Sequence, residues 1–157
     1  MLVPFVAGIA ILVSPPTPTQ VWQAKYDHIV ALMRKFDFAG YVAMFHPQYN
    51  ESAGGRTINL AQAKQSFTER MNTIAKYGKR PKVLDVREIE QTAVVTVVMT
   101  FERKQTVKGK AEILTGESTV RDTWLKDGKV FKLYRSATIA SVVKKNGKVL
   151  KPGKGTQ

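Results

Sequence analysis

The side chains to weigh first for chemistry are acids, tyrosines and two histidines, because the 157-residue chain has no cysteine. That removes thiolate ligands, cysteine nucleophiles and disulfides together. His28 and His46 stand 18 residues apart, and neither has a ligand-type pair at metal-site spacing, so no metal is expected. His46 precedes Pro47 and is expected at the end of a short helix, where it can bond the last carbonyls. Gly54-Gly55 reads as a turn, since no strand–glycine–helix unit surrounds it, and no other motif asks for a cofactor. Glu88, Glu90 and Glu102 read as solvated strand ends. Two acids remain. Glu51 stands beside the turn Ser52-Ala53-Gly54-Gly55, and Asp122 sits in a long alternating segment with Val120 and Trp124 on its face. A carboxylate enclosed by apolar walls has its pKa raised by desolvation, as a general base working near neutral pH requires. The plainer reading makes Glu51 a solvated residue. It makes Asp122 a structural acceptor for backbone or for the indole of Trp22 or Trp124.

The elements that must position these residues change character halfway along the chain. Thr17 or Thr19 can cap a first helix over Val21 to Phe36. Its apolar face runs Trp22, Tyr26, Ile29, Leu32 or Met33, and Phe36, at three- and four-residue steps. Asp37 caps a second, short helix carrying Phe38, Tyr41, Val42 and Phe45, which His46-Pro47 stops. Gln48 to Glu51 and Arg56 to Asn59 read as short strands about the glycine turn. Asn59 with Gln62 makes a capping box for a third helix, whose buried stripe is Ala63, Phe67, Met71 and Ile74 and which Gly78 ends. From Lys82 the period becomes two. Lys82 to Glu90, Ala93 to Lys104, Lys110 to Lys126 and Lys129 to Val143 read as four strands, the last two joined by an Asp127-Gly128 type I′ turn. Asn146-Gly147 can turn a last small hairpin to Val149-Leu150. The Ala93–Lys104 strand is apolar on most of both faces, which marks it as interior and suits a homodimer formed through the sheet.

Composition bounds the rest. With 43% hydrophobic and 24% charged residues the chain is an ordinary globular domain. The first 24 residues carry no charged side chain, and Met1 to Val13 is almost wholly apolar before a Pro/Thr-rich stretch to Gln20. This length suits a signal-peptide core and is too short to span a bilayer of roughly 30 Å. The organisation read is therefore a leader over residues 1–20, one domain over 21–143 and a basic tail over 144–157, in a protein exported to the periplasm, envelope or exterior. The alternative for the leader is an arm packed on an apolar groove. The net charge is +13, and five of the 25 basic residues are Lys144, Lys145, Lys148, Lys151 and Lys154 of the tail. Such a cluster suits weak contact with anionic surfaces. It lacks the interleaved aromatics of single-strand binders, so specific nucleic-acid recognition is not expected.

Two helices, a hairpin, a third helix and a long antiparallel meander resemble the nuclear transport factor 2-like superfamily, which includes SnoaL-like polyketide cyclases and ketosteroid isomerases. The resemblance rests on Phe36-Asp37-Phe38-Ala39-Gly40-Tyr41-Val42-Ala43-Met44-Phe45, similar to that superfamily's D-x-x-G short helix. It rests also on Arg121-Asp122-Thr123-Trp124-Leu125-Lys126-Asp127-Gly128-Lys129, similar to its Asp-x-Trp strand and hairpin. It covers Gln20 to Val143 and implies an α+β fold: three N-terminal helices on a strongly curved antiparallel sheet, a half-cone with an internal pocket. The resemblance to the isomerases implies Glu51 as a carboxylate base and Asp122 as an oxyanion donor. Counting back from Gly40, their oxyanion tyrosine falls on Ile29, and Tyr26, nearly a turn earlier, is the substitute. The expected pocket walls are Trp22, Tyr26, Ile29, Phe67, Met71, Val120 and Trp124. The first expectation of function is a pocket for a small apolar or amphipathic molecule, or for a partner domain. The second is proton transfer next to a carbonyl by Glu51, with Asp122 and Tyr26 polarising the oxygen.

Overall fold

Thr17 opens the first helix. In the computed structural model, which describes residues 14–78 and 80–150 apart from the side chains of 73 and 75–77, its hydroxyl accepts from the backbone of Gln20, and Gln20 bonds back. Residues 1–13, 79 and 151–157 lie outside the description, and with them the apolar run, Lys79, and Lys151 and Lys154 of the tail. With Pro18 pre-set in the first turn, helix α1 runs Pro18–Arg34, starting earlier than the apolar periodicity suggested. It buries Trp22, Tyr26, Ile29, Val30 and Met33. Phe36 does not complete this face: it turns the chain at φ 55 and is half exposed.

Asp37 then caps α2 (Phe38–Ala43), its carboxylate accepting from the Gly40 amide at 2.8 Å. A Cβ on Gly40 would stand 2.5 Å from Asp37 Oδ2, so the D-x-x-G pattern is a steric requirement of this cap. The helix stops sooner than expected. Phe45 and the His46-Pro47 pair belong to strand β1 (Phe45–Ala53), which returns through Gly54-Gly55 to β2 (Arg56–Asn59). His46 therefore bonds no helix carbonyl; its Nδ1 accepts from the Gln48 amide, and its ring stands edge-on to Tyr134. The expected capping box opens α3 (Leu60–Tyr77), and Gly78, at φ 60, ends it in the left-handed region that suits glycine.

The remaining strands are β3 (Arg80–Ile89), β4 (Thr92–Val107), β5 (Lys110–Asp127), β6 (Val130–Lys145) and β7 (Lys148–Val149). They form one sheet with β1 and β2 in the order β2-β1-β6-β5-β4-β3, β7 pairing on β6. Every pairing is antiparallel except β1 on β6. The β5–β6 hairpin turns on Gly128-Lys129, with Gly128 alone at positive φ. Both turn positions are positive at Lys108-Gly109 and Asn146-Gly147. Bulges interrupt the β5–β6 register at Thr119/Val120 and Thr123/Trp124 and the β3–β4 register at Val83/Asp85. Each adds local twist, which curls the long strands around the helices. The sheet is curved and unclosed. Its inner face contributes Ala93, Val95 and Val97 from β4 and Trp124 from β5, all fully buried, to a core shared with Tyr26, Phe67 and Met71.

Candidate functional site

Period two places Asp122 on the inner face of β5, between Val95 on β4 and Ser136 on β6. It is the one buried acid among the described residues, at 5% exposure. The Tyr26 hydroxyl, from the middle of α1, donates to Asp122 Oδ2 at 2.6 Å, and the Trp124 indole donates to that hydroxyl at 3.1 Å. Asp122 Oδ1 is buried and has no hydrogen-bond partner. Burial pushes the Asp122 carboxyl up to about 6, against Ser136 and Tyr26, which favour its charged form, while the Glu51 charge adds to the rise. Burial and then the charge of Asp122 hold the Tyr26 hydroxyl well above its usual range, so it is a protonated donor at neutral pH.

A second polar group lies on the same cavity. On β1, Tyr49 and Glu51 share a face, and Glu51 Oε2 accepts from Arg70 Nη1 at 2.7 Å and from the Tyr49 hydroxyl at 3.1 Å. Arg70 is held in turn by Ser66, one helical turn back on α3, whose Oγ accepts from Arg70 Nε at 3.0 Å. Burial works against the Arg70 charge, yet the Glu51 bond and charge hold its pKa above the ordinary value. Burial pushes Tyr41, from α2, up to about 12 and Tyr49 higher still, with the Glu51 charge adding to both and Arg70 opposing.

These two groups meet across a cavity of about 250 Å³ between the helices and the sheet. Tyr26, Ile29 and Met33 of α1, Tyr41, Phe45 and Tyr49, and the Val120–Trp124 face of β5 are among its walls. Phe101 closes part of one side; its ring crosses Gly116, where a Cβ would stand 1.9 Å from ring carbon. A wider depression of about 950 Å³ opens between Gly78 and the distal ends of β4 to β6, but it is lined by surface groups such as Arg80, Glu102, Glu117 and Lys144. The inner cavity is the candidate site.

The structure thus brings Glu51, Asp122 and Tyr26 onto one cavity, with Ile29, Val120 and Trp124 among its walls. Trp22, Phe67 and Met71 stand behind those walls instead. The Trp22 indole donates to Glu88 on β3 and its ring packs, tilted, against both Trp124 and Phe131. Phe67 is covered by Tyr41 and Phe45, at 4.7 and 4.9 Å between ring centroids. Met71 is buried one step around α3 from Arg70, which reaches the cavity. Glu51 is not simply solvated, and neither indole bonds Asp122. Arg70, Tyr49 and Tyr41 escaped the sequence reading. The alternation of Tyr49 with Glu51 was available to find one of them, and the Ser66–Arg70 spacing of four to find another. Among the described residues no group of three metal-type side chains converges.

No protein-family model and no curated protein matches this sequence. Solved structures do. An NTF-2 like protein of unknown function from Shewanella oneidensis superposes with a TM-score of 0.60 at 10% identity, over 78% of this chain and 98% of the other. Aln2 from a Streptomyces species gives 0.58 at 17% identity, over 80% and 93%. The CaMKII hub of S. rosetta gives 0.56 at 20%, over 80% and 98%. The chain has the nuclear transport factor 2-like fold. At these identities the likeness extends to architecture and to no activity.

Proposed function

We propose that this chain is a pocket domain that binds one small amphipathic molecule, with its apolar body against the aromatic walls and its polar end at Asp122. The observation that carries this reading is the unpartnered Asp122 Oδ1 on the cavity wall, between Val120 and Trp124 along β5. A buried polar atom is ordinarily satisfied, and one left open on a cavity is a place for a ligand to bond. The volume of about 250 Å³ lies just below the range of roughly 300–1,000 Å³ usual for drug-sized ligands, so the ligand is small. Ligand-observed NMR with a fragment library tests this. Fragments that bind the native chain should stop binding when Val120→Trp fills the cavity. Binding that survives the filled cavity, or no binding at all, would remove the proposal.

Proton transfer next to a carbonyl is the second reading, favoured by one observation: Glu51 and Asp122 line the same cavity. Three hydrogen bonds weigh against it. The only hydrogen of the Tyr26 hydroxyl is spent on Asp122, so it cannot also polarise a substrate oxygen, and Glu51 Oε2 is already occupied by Arg70 and Tyr49. Ketone isomerisation that disappears in Glu51→Gln would reinstate this reading. Two further proposals rest on less: export on the apolar run of Met1 to Val13, and self-association through the outer face of the sheet. The second is supported by its likeness to an association domain of C. elegans CaMKII, at a TM-score of 0.56 and 16% identity, over 76% of this chain and 92% of the other.

A further inference from the structure

The cavity is anionic inside a cationic protein. Its lining holds two acids, Asp122 and Glu51, against one base, Arg70. That base is already committed, at 2.7 Å, to Glu51. Asp122 is left as the uncompensated charge, and no cation among the lining residues is free to pair with it. Tyr26 bonds its other oxygen, Trp124 bonds Tyr26, and the cross-strand neighbour on β4 is Val95. Ser136 on β6 is near enough to favour the charged carboxylate but leaves Oδ1 unbonded. The titratable groups around Asp122 are Tyr26 from α1, Tyr41 from α2, Tyr49 and Glu51 from β1 and Arg70 from α3, with none from β4 or β6 among the lining residues. The same cavity is lined by the rings of Tyr41, Phe45, Tyr49, Phe101 and Trp124, and aromatic faces attract cations in a desolvated site.

We infer that the ligand is a small protonated amine on an apolar body, its ammonium donating to Asp122 Oδ1 while the body packs against the aromatic walls. This rests on the pocket reading above and adds the charge of the ligand to it. An alcohol would satisfy the oxygen yet leave its charge unneutralised, and a carboxylate would meet like charge. A carbonyl ligand would need Asp122 protonated. The net charge of +13 repels a cation at long range, so a preference for the amine must come from contacts inside the cavity.

Three probes with one ring and different heads test it: benzylamine, benzyl alcohol and benzoate, each titrated by calorimetry into the full chain at pH 7.5. Benzylamine should bind at least tenfold tighter than the alcohol, with benzoate weakest. Its affinity should fall as pH drops through about 6, where Asp122 takes up its proton. Asp122→Asn should erase the preference for the amine, and circular dichroism establishes that the variant is folded. The pH profile of the unaltered chain carries the same information if it is not. Equal or tighter binding of the alcohol or benzoate, abolished by Val120→Trp, would overturn the amine assignment and leave the pocket standing. An amine preference that persists in folded Asp122→Asn or shows no fall below pH 6 would also overturn it. No binding by any probe would overturn both.

Discussion

Asp122 concentrates the tension of this molecule in one side chain. Its carboxyl titrates near 6 when folded, against 3.8 for the ordinary aspartate, and burial is the main cause. A raised folded pKa means that the native state holds the proton more tightly than the unfolded chain does. The associated stability is fully present below pH 4 and is lost as pH climbs through 6, on the order of 2–3 kcal/mol by pH 8. Asp122→Asn keeps an acceptor for Tyr26 and removes the charge, so its melting temperature should exceed that of the native chain at pH 8 and converge with it near pH 4. Parallel curves for the two proteins across that range would refute the assignment. The position of Asp122 was legible in the sequence, because alternation puts it on one face with Val120 and Trp124. So was Tyr26, seven residues before Met33 on the buried stripe of α1. Its partnership with Asp122, 96 residues away, was not: the Tyr26 hydroxyl donates its hydrogen to that acid. Arg70 was missed because it flanks the apolar stripe of α3, where a charged residue reads as solvent-facing unless something long-range, here Glu51, draws it in.

At the scale of the element, local chemistry was readable and non-local pairing was not. The Asn59–Gln62 capping box, a threonine cap on α1, the glycine stop of α3 and the four long strands follow from residues within a few positions of one another. The start of β1 does not. Phe45 leaves helical space because it pairs with Leu133 of β6, and nothing near Phe45 in the sequence announces a partner 88 residues away. The short helix before it offers a clean test of the local argument. Gly40→Ala should normally favour a helix by up to about 1 kcal/mol. Here the new Cβ would meet Asp37 Oδ2 at 2.5 Å and Leu32 at 3.0 Å, so the cap must break or shift. The expected result is a net loss of about 1–2 kcal/mol in chemical denaturation. Made on top of Asp37→Ala, which deletes the offending carboxylate, the same change should cost little or nothing. Equal losses in both backgrounds would mean that the clash with Leu32, and not the cap, makes glycine necessary.

For the whole molecule the question is what the outer face of the sheet is for. The curl that wraps the inner face around the helices leaves the outer face open, with the rows Val94–Thr123–Arg135, Thr96–Arg121–Ala137 and Val98–Thr119–Ala140 running across β4, β5 and β6. These rows hold valines, threonines and alanines, half-buried in part, with Arg135 and Arg121 as their charges. Small side chains in register let two sheets approach to about 10 Å, the spacing at which facing sheets pack. Exposed Leu84, Ile139 and Val142 extend the apolar surface of the same sheet. Self-association through this face therefore predicts a particular sensitivity. Val98→Arg should place a guanidinium at the centre of a two-fold contact, opposite its own copy, and convert the dimer to monomer in light scattering after size exclusion. The same substitution should leave the fold and ligand binding intact, because Val98 points away from the inner face that carries its neighbours Val97 and Met99. Raised salt should not restore the dimer, since the barrier is the burial of charge and not its screened repulsion. A native chain that runs as a monomer at both low and high concentration would remove this face as an interface between copies.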